Sequence, residues 1–220
     1  TRKSHQTDRG NQPRVHFGNR WVKDSVLELF KEDISRQRIV IAVEPDQNDL
    51  EVVQGGGVPK LKALRLHNGT IYRWNRPCYG INNGIPHLRI ENRVLPSGPT
   101  VLDEVANSAF FFGLMSSFAD EKKPISERMS FDDAKKNFVS AARDGLQAQF
   151  SWIGGKTVTA AQLIQRKLLP RAREGLQGAG IDAGDIDRYL GVIEARVKSE
   201  RTGAKWMVES LSKMGETGTG

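Results

Sequence analysis

The stretch Pro86-His-Leu-Arg-Ile-Glu-Asn-Arg-Val94 is the part of the chain most able to do chemistry. Read as a strand, it places Leu88, Ile90 and Val94 on one face and Arg89, Glu91 and Arg93 on the other. A row of cation, carboxylate, cation suits anion binding, because the planar guanidinium fork pairs with carboxylate or phosphate. The central carboxylate suits a divalent cation. An ordinary solvated strand face laced with weak ion pairs has the same pattern. The preceding strand candidate, Thr70 to Arg76, adds Tyr72, Trp74, Asn75 and Arg76. Tyr72 and Trp74 are suited to wall a ligand or simply to pack in a sheet. Asn68 is a candidate polar contact. His67 and His87 are candidates for acid–base work or for structural roles.

The elements that must position these groups follow from periodicity. Val22, Val26, Leu29, Phe30 and Ile34 predict a helix over 21–35. Ile39-Val-Ile41 predicts a short buried strand over 38–43. Strands over 70–76 and 87–95 are joined by turn chemistry between Pro77 and Pro86, predicting a hairpin with a long loop. Thr100 and Asp103 have capping-box spacing ahead of a helix whose apolar residues (Val101, Leu102, Val105, Ala109, Phe112, Leu114) predict deep burial. Ser130 and Asp133 cap a second helix, expected to run to about Phe150 and to be broken by Gly154-Gly155. Further helices are expected over 159–176, with Pro170 as a kink, over 185–201, and over 203–214. The expectation is an α+β fold, with no strand after Met129. It divides into a flexible arm (1–19), a mixed segment (20–119) and an all-helical region (130–214).

The bulk numbers set limits. With 38% hydrophobic and 27% charged residues, the chain can bury a core. Its longest apolar run, near Ala109 to Met115, is far too short for a membrane span. One cysteine, Cys78, excludes an internal disulfide and a cysteine-built metal site. No secretory leader opens the sequence, and a cytoplasmic location is expected. The net charge of +7 is scattered and interleaved with acids, so small anionic substrates are favoured over nucleic acid. A homo-oligomer is compatible with all of this. Thr1 opens a polar stretch, which suggests a fragment.

Trp74-Asn-Arg-Pro77, Leu88-Arg-Ile-Glu-Asn-Arg93, Gly98-Pro99 and Ala109-Phe-Phe-Phe-Gly-Leu114 together resemble the glutamate–cysteine ligase superfamily, in particular its bacterial carboxylate–amine ligases. The phrase from His67 to Pro77 resembles a bacterial glutamate–cysteine ligase-like subgroup. The resemblance implies a glutamine-synthetase-like antiparallel sheet. It also implies an enzyme in which ATP phosphorylates a carboxylate and an amine attacks the acyl phosphate to form an amide, as in glutathione biosynthesis. ATP and Mg2+ are then expected as cofactors, and amino acids as substrates. Glu91 would be a Mg2+ ligand. Arg93 and Arg76 would contact the transferred phosphoryl or the substrate carboxylate. Arg89, Trp74, Asn75, Tyr72, Asn68 and His67 would contact substrate or nucleotide. The family's N-terminal Gly-x-Glu-Glu-type metal motif does not occur, so this chain is expected to supply only the C-terminal part of the site and to be inactive in isolation.

Overall fold

The computed structural model describes residues 13–95 and 97–217; the 1–12 part of the expected arm lies outside the described residues. The chain is mixed α and β and divides into two compact units, Thr1–Val94 and Leu95–Gly220. The boundary after Val94 falls inside the 20–119 segment that the sequence reading treats as one domain.

The first unit begins with β1 (Val15–His16), which pairs in parallel with β2 (Tyr72–Arg73). Val15 and His16 are therefore tied down and not part of an arm. Helix α1 (Leu27–Arg36) forms as expected, but its buried stripe is Phe30, Asp33 and Gln37, while Leu27 and Ile34 are exposed. Its entry is fastened by Glu28, whose Oε1 accepts from the backbone N–H groups of Asp24 (2.8 Å), Lys23 (3.0 Å) and Ser25 (3.3 Å). Those hydrogen bonds, and the nearby Arg20 guanidinium, lower the Glu28 carboxyl from its ordinary value to about 2. A carboxyl lowered in the folded state stabilises fully above its unfolded pKa and loses that contribution as pH falls through the folded one. The stability difference between the wild type and Glu28→Gln should accordingly shrink between about pH 4.5 and about pH 2. Urea titrations across that window check it, and a difference independent of pH would refute the clasp.

The 38–43 segment is not a strand. Ile39 is 69% exposed, and Ile41 and Val43 are exposed with it. β-branched residues make a strand only where a ladder partner exists, and the described residues offer none here. Two short helices follow, α2 (Asp49–Gln54), capped by the Asn48 side chain, and α3 (Lys62–Gly69). The hairpin is β3 (Asn75–Asn82) and β4 (Ile85–Asn92), in antiparallel register with Arg76 opposite Glu91 and Cys78 opposite Arg89. The expected long loop is mostly strand. The turn is only Asn83-Gly84, both at positive φ, as a two-residue hairpin turn requires. The apolar face of β4 is not packed: Ile90 is 55% exposed, and Leu88 is exposed as well.

In the second unit, α4 (Val101–Ala119) starts at Thr100, whose side chain accepts from the Asp103 N–H. The expected burial of its large side chains occurs only in part: Phe110 and Leu114 are partly buried against the core. Phe112 is 64% exposed and Val101 and Met115 point outward, while Ala106 and Gly113 are buried. Close helix approach selects the small residues for the packed face. Helix α5 (Phe131–Asp144) has the expected Ser130 cap but stops before Phe150. Phe150 instead belongs to a second hairpin, β5 (Gln149–Trp152) with β6 (Lys156–Thr159), so the region after Met129 is not all helical. Gly154 and Gly155, both at positive φ, form its turn. Helix α6 (Ala160–Leu163) runs into a π-helical stretch, Ile164–Leu168, and then α7 (Leu169–Gly178). Pro170 offers no N–H to the carbonyl four residues back, and the expected kink takes the form of this widened turn. Helix α8 (Ala183–Lys198) closes the core, in which Ala106, Leu169, Ala172, Leu176, Ile186, Leu190, Ile193 and Val197 cluster. Helix α9 (Gly203–Thr217) follows. No helix among the described residues is long and apolar enough to cross a membrane.

Candidate anion site on the first hairpin

Strand pairing delivers part of the expected constellation. Arg76 on β3 and Glu91 on β4 are cross-strand neighbours. Arg76 donates from Nε (2.8 Å) and approaches with Nη2 (2.5 Å) the same Glu91 Oε2. Arg93 Nε donates to that oxygen too, at 3.1 Å. Partial burial alone would raise the Glu91 carboxyl; the hydrogen bond and charge of Arg76, with those of Arg93, outweigh it and hold the group below its ordinary range. Arg93 also stacks over the Tyr72 ring, 4.2 Å from its centroid, and its Nη1 is buried without a hydrogen-bond partner.

Arg76 and Arg89 reach the wall of one cavity of about 160 Å3, which Asn68 and Arg65 of α3 complete, with Cys78 and Tyr79 from β3. Gly80, opposite His87, is what lets the Arg89 tip lie across the strand pair: a methyl there would sit 2.9 Å from Arg89 Nη1 and 2.6 Å from His87 Nε2. Asn68 is 6% exposed; its Nδ2 donates to the Pro77 carbonyl at 2.7 Å, and its Oδ1 is buried with no partner.

The other sequence candidates are placed elsewhere. His67 is buried with Nε2 3.1 Å from the Gln37 carbonyl, on the wall of a separate apolar recess with Ile39, Ile41 and Val43. Asn75 accepts from Asn92 Nδ2 at 2.9 Å. Trp74 is half-buried and its carbonyl accepts from the Arg93 N–H. His87 lies 3.2 Å from Arg89 Nη1. Sequence reasoning missed Arg65. Its signal was the i, i+3 spacing from Arg65 to Asn68, which puts both on one face of α3 once that helix is recognised.

The arrangement is chemically one-sided. Guanidinium groups surround the cavity, and the one carboxylate beside them is already bound by both Arg76 and Arg93. Among the described residues no group of three or more His, Cys, Asp or Glu is placed to hold a metal ion. A dication at Glu91 would meet two guanidinium groups on the same oxygen, so Mg2+ does not fit these residues as they stand. A carboxylate or a single phosphoryl group fits. A whole nucleotide does not, since ligand pockets of that kind span about 300–1,000 Å3. Compared with known proteins, the chain matches no family model, no curated protein and no solved structure.

Proposed function

We propose that the chain is part of an ATP-dependent carboxylate–amine ligase of the glutamate–cysteine ligase type, and that the hairpin belongs to a glutamine-synthetase-like sheet. The observation that carries this reading is the meeting of Arg76, Arg89 and Asn68 on one cavity, with Glu91 orienting Arg76 from the facing strand. These are residues that the ligase resemblance singles out, and they come from different elements. ATP supplies the phosphoryl group that turns a carboxylate oxygen into a leaving group. The chain's part is electrostatic: Arg76 and Arg89 hold the anionic group and neutralise charge as it moves. Glu91 fixes the Arg76 fork, so that the guanidinium does not have to be ordered during the reaction. Amino acids are the substrate class, and no step is routed through Mg2+.

The test is ADP release with ATP, Mg2+ and paired amino acids, measured on the protein as its cell makes it. Release that needs both acid and amine supports the reading; no release with any pair of the standard amino acids sinks it. Arg76→Lys should then lower kcat about 10²-fold, because an ammonium cannot keep two bonds to Glu91 and still face the cavity. Unchanged turnover would remove Arg76 from the site.

A second reading, an anion-binding protein without catalysis, is favoured by one observation: the Glu91 carboxylate is taken up by Arg76 and Arg93. Ligand binding without any ADP release would decide for it.

A further inference from the structure

The cavity between α3 and the hairpin contains one feature that an all-cationic site does not need. Asn68 is buried on its wall, and its amide has only one free atom. The Pro77 carbonyl can only accept, so the group facing it is the Asn68 NH2, and the unanswered atom is Oδ1, an acceptor. A buried acceptor without a partner is costly, and a ligand that supplies a donor removes the cost. Around it stand Arg65, Arg76 and Arg89. The Arg76 charge is offset by Glu91. Among the described residues, the Arg89 guanidinium hydrogen-bonds only with the imidazole of His87, and the Arg65 guanidinium makes no hydrogen bond or ion pair. Two uncompensated cations and one acceptor ask for a small dianion that still carries a proton.

We propose that the cavity lined by Arg65, Asn68, Arg76 and Arg89 is a binding site for hydrogenphosphate, selected over other tetrahedral oxyanions by an O–H donated to Asn68 Oδ1. Its charge matches the two unpaired guanidinium groups. Its size suits the cavity of about 160 Å3. Sulfate has the same shape and charge but no proton to give. A phosphomonoester above its second ionisation, near pH 6, is also a dianion without a donor. Arginine alone would not separate the three, since the guanidinium fork reads only oxygen geometry and charge. The discrimination falls to Asn68.

Calorimetric titration of the protein at constant ionic strength and about pH 8 decides it, with inorganic phosphate, sulfate and methyl phosphate as the three arms. Hydrogenphosphate should bind saturably and at least about ten-fold more tightly than either of the others, the cost of leaving a buried acceptor unpaired. Arg65→Gln, at an exposed position that the fold does not need, should weaken phosphate binding about ten-fold by removing a charge-assisted bond. Sulfate binding about as tightly as phosphate would overturn the proposal, leaving only a generic basic cavity. So would methyl phosphate matching phosphate, unchanged affinity in Arg65→Gln, or no saturable phosphate binding at all. The titration uses no nucleotide and no amine, so its failure leaves the ligase reading to the ADP assay.

Discussion

Replacing Arg73 with methionine is expected to cost the first unit about 3–5 kcal/mol, the penalty for stranding a buried charge. Arg73 is 4% exposed and Asp33 is 3% exposed. Arg73 Nε donates to both Asp33 oxygens, at 2.9 and 3.1 Å, and Nη2 donates to Glu32 Oε2 at 2.8 Å. His16 sits beside them, 3.9 Å from Asp33; burial and the Arg73 charge push its pKa down, so it stays neutral and supplies no replacement cation. Removal of Arg73 therefore leaves Asp33 buried without a counter-charge, on the helix face that also carries Phe30 and Gln37. Folded units have only about 5–15 kcal/mol in total, so a unit of this size should lose more than about 10 °C in Tm. Hydrogen exchange separates the two units, and the amides of α1, α3 and the hairpin should lose protection first. Asp33→Leu combined with Arg73→Met should recover most of the loss, because an apolar pair of similar volume replaces the ions without stranding either. A single variant that loses less than about 1 kcal/mol would show the cluster to be solvated.

The same cluster shows where sequence reading stops. Asp33 and Arg73 are single charged residues, 40 positions apart, and each reads as solvent-facing until the partner is known. Helix α1 was legible from its period, but its buried stripe was not, because the stripe follows Asp33 and not the larger apolar residues. Local chemistry was more reliable. The caps at Thr100 and Ser130 stand where the Asp three residues on predicts them. The first hairpin was legible in its existence and in the shared face of Arg89 and Glu91, and misjudged in its turn. Asn83-Gly84 carries the two-residue turn signal, but Pro77 and Gly80 inside β3 argue against a strand by propensity alone. The second hairpin was hidden because Gly154-Gly155 marks a helix break and a hairpin turn equally well. Of the site, the charges on β3 and β4 were readable, because alternation is a property of the strand itself. Arg65 was not, because it depends on how α3 is set against the hairpin.

Gly175→Ala should destabilise the second unit by about 3 kcal/mol or more, the upper range for forcing an atom into a filled interior. The usual effect has the opposite sign: alanine in place of glycine inside a helix stabilises by about 0.5–1 kcal/mol. The reversal comes from the approach of α7 to α4. A methyl at Gly175 would fall onto the Gly113 carbonyl oxygen and lie 2.9 Å from both the Gly113 carbonyl carbon and the Ser117 nitrogen. A methyl at Gly113 would meet the Ala172 backbone in return, 3.0 Å from its Cα. These are main-chain atoms, so no side-chain rotation relieves the clash, and the helices must separate. Separation opens the core around Ala106, Ala172 and Leu176, which adds lost packing to the steric cost. Gly191 in α8 is the internal control. A methyl there meets nothing within 4 Å, so Gly191→Ala should stabilise by the ordinary helix increment. Urea unfolding of the two variants beside the wild type should move the midpoint in opposite directions. If Gly175→Ala shifts it upward as Gly191→Ala does, the glycine contact between α4 and α7 does not hold these helices together.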